Sequence, residues 1–314
     1  MKILVTGGAG FIGSHLVDKL LKNNQVVVID DFSGGDIENV QSKCPIYSYD
    51  CRSFNDIDLV FNEFKPDVVY HLACNAAENK SVFSPVDITS RSYDAFIKVL
   101  TAGIRNGMKK FVFTSSIAVY GTGQAPYKET DKPEPEDLYG ITKYSAEETL
   151  KLMAKVHGFE YVILRPHNVF GERQNMKDPY RNVVTIFMNS LLIGDPLPIY
   201  GDGEQVRQFS YIDGVVKQIM ERPQGTWNVG SSKEYTINQL ADTIEKVAGF
   251  STGRNYLPER MEVKRAVALH DYETNENFEE CIAKTWSWAK KTGPQKPIYT
   301  ELEIQSDLIP KNWI

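Results

Sequence analysis

Residues 5–16 read VTGGAGFIGSHL, and this stretch restricts the fold more than any other. An apolar strand-like run, KILVT at 2–6, stops at a pair of glycines, and a helix-length apolar pattern starts a few residues later. Gly8, Gly10 and Gly13 make GxGxxG, and Gly7, Gly10 and Gly13 make GxxGxxG. Glycines at this spacing allow a tight strand-to-helix turn, a close approach of backbone to a pyrophosphate, and close packing of helix on strand. The helix start then presents unpaired N–H groups and the positive end of its dipole to an anion. Alone the motif is weak. Here Asp30 and Asp31 close the second strand at about the spacing, roughly 20 residues, at which a carboxylate meets the adenine ribose. A carboxylate there bonds the ribose hydroxyls and repels a 2′-phosphate, which favours NAD over NADP. Asp50, at the end of the third strand, is the candidate to face the adenine amine, with Cys51 beside it.

The rest of the first half repeats this rhythm. VVVID (26–30), IYSYD (46–50), DVVYHLA (67–73), KFVFTSS (110–116) and EYVILR (160–165) read as strands, with helix-length patterns at 11–22, 53–64, 86–106 and 139–157. Strands without alternation, each followed by a helix, predict an α/β fold with a doubly wound parallel sheet covered on both faces. After about residue 166 turn formers and short mixed patterns take over. They predict a nucleotide-binding domain over 1–166 and a smaller mixed α/β substrate lobe over 167–314, with the chain crossing back to the sheet. The last residues, TELEIQSDLIPKNWI, carry apolar anchors and a proline and predict a docked tail.

Bulk properties narrow the partners. The 314 residues are 42% hydrophobic and 24% charged, an ordinary globular balance with enough chain for a large core. A net charge of −6 gives no global field for nucleic acid or an anionic membrane. No apolar stretch reaches the roughly 20 residues that span a bilayer, and the N-terminal run is too short for a signal sequence. Cys44, Cys51, Cys74 and Cys281 show neither CxxC nor zinc-ligand spacing, so no metal site is expected. These features together predict a cytoplasmic protein.

Two further stretches suggest chemistry. TSSIAVYG (114–121) puts small hydroxyl residues at a strand end, and YGITK (139–143) sets Tyr139 four residues ahead of Lys143, on one helical face. A phenol, with a reference pKa near 10, needs a neighbouring positive charge to act as a base at neutral pH. Lys143 and the ring of bound NAD⁺ are the candidates. With the glycine motif, HLA at 71–73, TSSIAVYG and YGITK all in order, the chain resembles the extended short-chain dehydrogenase/reductase family, in its nucleotide-sugar epimerase/dehydratase branch, from residue 1 to about residue 265. The resemblance implies that Ser116 orients the reacting hydroxyl, Tyr139 transfers its proton and Lys143 supports the phenol and the nicotinamide ribose. It implies cofactor contacts from Gly7, Gly10, Phe11, Ile12, Gly13, Asp30, Asp31, Asp50, Cys51, Leu72 and Ala73 as well as Tyr139 and Lys143. A nucleotide-diphosphate sugar would meet Ser116, Asn168, Arg207 and Arg260, the arginines binding phosphate through their planar forks. His71 is read as a packing residue.

Departures from the family pattern select a reaction. Sugar 4,6-dehydratases of this branch carry an acidic pair where this chain has Ile117 and Ala118, and neither of these can move a proton. Decarboxylases keep a glutamate, and 3,5-epimerases a cysteine, at the position of Ala118. What remains is C4 epimerisation of a UDP-hexose through a transient 4-ketone, and the resemblance further implies a homodimer built on the helices at 86–106 and 139–157. Other NAD(P)-linked sugar epimerisations, reductions or dehydrations stay open, as does a non-catalytic NAD-binding role. Ser92 stands where the branch often has an asparagine that supports the nicotinamide side.

Overall fold

In the computed structural model, every residue is described except 181, 260–264, 273, 275, 311, 312 and 314. Seven parallel strands form the central sheet: β1 (Lys2–Thr6), β2 (Gln25–Ile29), β3 (Ile46–Tyr47), β4 (Val68–His71), β5 (Lys110–Thr114), β6 (Glu160–Pro166) and β7 (Gly225–Val229), in the order 7-6-5-4-1-2-3. The outer strand β7 comes from the second half of the chain and pairs in register with β6. Successive residues of each strand point to opposite faces, and both faces are apolar. Ile3, Val5, Val26, Val28, Val162 and Leu164 belong to one core, whereas Leu4, Val27, Ile29, Phe111, Phe113 and Ile163 belong to the other.

Helix α1 (Phe11–Leu20) buries Leu16, Val17 and Leu20 in the first core. That core continues into the second half through Val184, Leu240, Ile282 and Trp286. The second core takes α2 (Phe54–Phe64), α4 (Ala95–Arg105) and α5 (Leu138–His157). A short helix, α3 (Pro85–Thr89), runs into α4 through a π-helical turn at Ser90–Asp94, and Ser92 is buried in that turn. Such turns inside helices recur beside functional sites.

The sheet changes direction between β1 and β4, where the strand order reverses. Ligands of open α/β sheets bind in the crevice outside the strand ends at this switch point. Gly7 follows β1 and Leu72–Ala73 follow β4, and the two loops touch there. A Cβ on Gly7 would lie 2.7 Å from the Ala73 nitrogen, and Gly7 has φ +70°. Only glycine meets both conditions.

Burial lowers the pKa of three histidines. His71 shares a hydrogen bond of 2.8 Å between its Nδ1 and Thr6 Oγ1, and its ring packs against Phe96, Phe111 and Phe113, so it is a packing residue. Burial, with the Lys143 charge added, pushes its pKa down to about 3. His167 and His270 face each other Nε2 to Nε2 at 2.8 Å, and burial depresses them to about 3 and about 4. Because the unfolded chain binds these protons near pH 6.5 and the native state does not, it holds more protons throughout the window below. Stability therefore falls as pH drops from about 6.5 towards 4, by up to about 1.4 kcal/mol per pH unit for each histidine. Urea midpoints at pH 7.5 and pH 5 should differ clearly, and His270→Gln should flatten the difference. An equal slope in that variant would show that the pair is not titrating in this window.

Candidate active site

The switch-point crevice opens into a continuous cleft of about 2420 Å³. Single ligand pockets are about 300–1,000 Å³, so this cleft has room for two ligands side by side. At one end the glycine loop wraps the start of α1. Gly10 is the N-cap residue, no side chain caps that end, and the first turn carries no acidic residue. The N–H groups of Phe11 and Ile12 are therefore available to an anion. Gly7, Gly10 and Gly13 line the cleft, while Gly8 is buried against Val28, so the GxxGxxG reading is the one that describes the binding surface. A Cβ on Gly13 would sit 2.0 Å from the Gly7 carbonyl oxygen.

The two acidic residues after β2 part company. Asp30 accepts the Ala9 and Phe32 N–H groups at 2.9 Å each, and burial pushes its carboxyl up despite those bonds. A buried carboxylate of this kind gains from further donors, such as a pair of ribose hydroxyls. Asp31 instead accepts Ser33 and the Arg91 guanidinium, the latter at 2.9 Å. Burial opposes its ionisation, but Ser33 and Arg91 outweigh that and hold its carboxyl below the usual range. Asp50 lines the cleft with Cys51, and Arg52 grips its carboxylate and holds it ionised. Neither Arg52 nor Arg91 was singled out by sequence, although Arg52 is only two residues from its partner. Phe11 and Ile12, in the first turn of α1, and Leu72 and Ala73, after β4, also line the cleft.

Deeper in, α5 is set by its ends. Asp137 caps it by accepting the Gly140 N–H at 2.8 Å, and Gly158 closes it in the left-handed region. A Cβ on Gly140 would lie 2.6 Å from the Ala118 carbonyl oxygen, so this glycine lets the start of α5 approach the 3-10 turn Ile117–Tyr120. Ser116 begins that turn, its Oγ accepting the Ala118 N–H at 3.1 Å, which uses a lone pair and leaves the hydroxyl proton for another acceptor. Tyr139 and Lys143 both line the cleft and are nearly fully buried. The Lys143 Nζ donates to the Thr114 carbonyl at 2.7 Å and sits 5.6 Å from the centre of the Tyr139 ring. Among the described residues it pairs with no carboxylate.

Behind this trio lies a buried network that sequence reasoning missed. Glu147, one turn beyond Lys143 on the same helix face, accepts from Ser115 Oγ at 2.6 Å and from Arg165 Nε at 2.9 Å. Arg165 also donates to the Tyr120 hydroxyl at 2.7 Å, and Tyr120 donates to Asn228 at 2.8 Å. Helix α5, the end of β5 and β6 are thereby tied together under Ser116.

At the far end, Asn168 lines the cleft with φ +34°, its Nδ2 donating to the Gln208 carbonyl at 3.0 Å. Arg207 lies on the strand Val206–Gln208 and also lines the cleft. Arg260 lies outside the described residues.

A doubly wound sheet with a glycine-lined anion site, a buried ribose-type carboxylate and a Ser–Tyr–Lys trio defines a dinucleotide-dependent sugar- or alcohol-modifying enzyme of the short-chain dehydrogenase/reductase type. Residues 3–230 match the NAD dependent epimerase/dehydratase family, and the chain belongs to it. A putative UDP-glucose 4-epimerase of Methanocaldococcus jannaschii is 36% identical over 308 residues, covering 92% of this chain and 98% of that one. Among solved structures, UDP-glucose 4-epimerase from Thermotoga maritima, with UDP-glucose, superposes with a TM-score of 0.89 at 34% identity, covering 93% of this chain and 99% of that chain. The UDP-N-acetylglucosamine 4-epimerase of Methanobrevibacter ruminantium, in complex with UDP-N-acetylmuramic acid, gives 0.87 at 34% identity, with 93% and 98% covered.

Proposed function

We propose that this protein is an NAD-dependent epimerase acting at C4 of a UDP-hexose. The observation that carries the reading is the buried Lys143 ammonium beside Tyr139, at the end of β5 where Ser116 offers its hydroxyl, in a cleft large enough for cofactor and nucleotide sugar together. A positive charge this close to a phenol ring stabilises an oxyanion on it. Held by the glycine loop and Asp30, NAD would supply reversible hydride transfer at C4. Tyr139 takes the proton of the C4 hydroxyl and gives one back, while Ser116 holds that hydroxyl in line. Ile117 and Ala118 supply no proton, which supports epimerisation over dehydration or decarboxylation.

The cofactor would lie across Gly7, Gly10 and Gly13, its adenine ribose on Asp30. Arg91 is neutralised by two carboxylates, Asp31 and Asp87, and so offers no net charge for a 2′-phosphate. Asp50 and Cys51 would border the adenine. Asn168, Arg207 and Arg260 would hold the diphosphate of the sugar nucleotide, with the second half of the chain as the substrate lobe. We further assign a cytoplasmic homodimer. Among the described residues no helix is long and apolar enough to cross a membrane, and Ile141, Leu152 and Val156 leave an exposed apolar stripe on α5.

Proton NMR of UDP-glucose and UDP-N-acetylglucosamine, each incubated with the purified protein and no added coenzyme, tests the assignment. Appearance of the corresponding galacto epimer is expected, because the cofactor is regenerated in each cycle and stays bound. A protein that consumes added coenzyme stoichiometrically, or changes another ring carbon, would replace the reading with a reductase or a different epimerase.

A further inference from the structure

Residues 298–310 and Trp313 carry no motif and form no regular element, yet they build one wall of the cleft. Leu302, Ile309 and Trp313 are buried in the same apolar cluster as Ala118 and Tyr139. The segment is fastened on both sides of the opening. Towards the sheet, the Glu303 carboxylate accepts the N–H groups of Val86 and Asp87 at 2.8 Å each, at the start of α3, and the Ile304 N–H donates to the Phe83 carbonyl at 3.0 Å. Towards the other half of the chain, the Ile298 N–H donates to the Lys177 carbonyl at 2.8 Å, and the Thr300 N–H donates to the Tyr180 hydroxyl at 3.1 Å. The Trp313 ring then packs perpendicular to the rings of both Tyr180 and Phe83, one from each side.

We infer that this segment is a retaining strap, which spans the sugar end of the cleft and keeps the oxidised sugar in place while it turns over. The inference rests on the epimerase reading. In that reaction C4 gives up a hydride to NAD and its hydroxyl gives up a proton to Tyr139. The ketone must then turn its opposite face to the same cofactor before the hydride and a proton are returned. If the ketone leaves first, the protein is left holding one reduced coenzyme and one proton, and the cycle stops. A wall anchored to both sides of the opening, and packed against the proton-transfer residue, opposes that escape.

Two changes test the strap: a chain shortened to residues 1–297, and Glu303→Ala in the full-length protein, which removes the latch on α3 without touching the trio. The first readout is the absorbance of reduced nicotinamide after UDP-glucose, or whichever UDP-hexose the parent converts, is added to the holoenzyme. The parent should show little accumulation, and both variants should drift towards full reduction as ketone is lost. The second readout needs no turnover. Cys74 lines the cleft and is partly exposed, whereas Cys44, Cys51 and Cys281 are buried. Labelling of Cys74 by a soluble thiol reagent should accelerate about tenfold or more in the shortened chain, and clearly in Glu303→Ala, a tenfold factor being equivalent to about 1.4 kcal/mol of protection. Folded, coenzyme-loaded variants with the parent's labelling rate and no accumulated reduction would overturn the strap. Failure of the parent to convert any UDP-hexose would overturn the epimerase reading instead, and the labelling rates would still decide whether the segment closes the cleft.

Discussion

Tyr139→Phe should cost turnover by roughly 10²–10⁴-fold, the range that positioned proton transfer contributes, and should leave coenzyme content unchanged. The substitution removes one oxygen from a residue that is 6% exposed and keeps the ring, with its contacts to Ala118 and the strap. The Lys143 bond runs to the Thr114 carbonyl and does not involve that oxygen. What is lost is the group that takes and returns the C4 hydroxyl proton. Steady-state turnover and the absorbance of retained coenzyme check the two halves separately. Near-parental turnover would remove the phenol from the mechanism, whereas loss of coenzyme would mean that Tyr139 holds the cofactor more than the proton.

The second large effect concerns stability. Arg165 and Glu147 are 2% and 0% exposed, and they face each other across α5 and β6. Glu147→Ala leaves a buried guanidinium with the Tyr120 hydroxyl but no carboxylate, and strands the Ser115 hydroxyl. Breaking one side of such a pair costs about 3–5 kcal/mol, a large share of the roughly 5–15 kcal/mol that holds a domain together. Denaturant unfolding should show a fall of that size. Because Ser115 precedes Ser116 directly, turnover should fall too under conditions where the variant is still folded. A variant as stable as the parent would show that the pair is replaceable by simple packing at this site.

The sheet was legible because each strand is an apolar run facing two cores, a pattern that short-range periodicity reports directly. A return of the chain to the sheet was expected, but the place of the seventh strand was not legible. Gly225–Val229 begins with three partly exposed residues and forms only by pairing with β6, some sixty residues earlier in the chain. At β3 the expected run 46–50 shortens to Ile46–Tyr47, because Tyr49 and Asp50 turn out of the sheet to begin the loop that carries Arg52. In the site, the glycine loop and the Tyr139–Lys143 pair were readable because each is a local spacing. Glu147 was equally within reach, as the next residue on the same helical face. Arg91 meets Asp31 across 60 positions, and Glu303 meets Asp87 across 216. No periodicity records such encounters, so the neutralised arginine and the strap emerge only from the three-dimensional structure.

Epimerisation by transient oxidation makes one demand that other routes do not share: the hydrogen on C4 must leave and return without meeting solvent. UDP-glucose carrying deuterium at C4, incubated with the holoenzyme in ordinary water and followed by NMR, tests this directly. Hydride transfer through NAD gives UDP-galactose that has kept its deuterium at C4. Product carrying a solvent hydrogen at C4 would contradict it, and would mean that the carbon is deprotonated rather than oxidised.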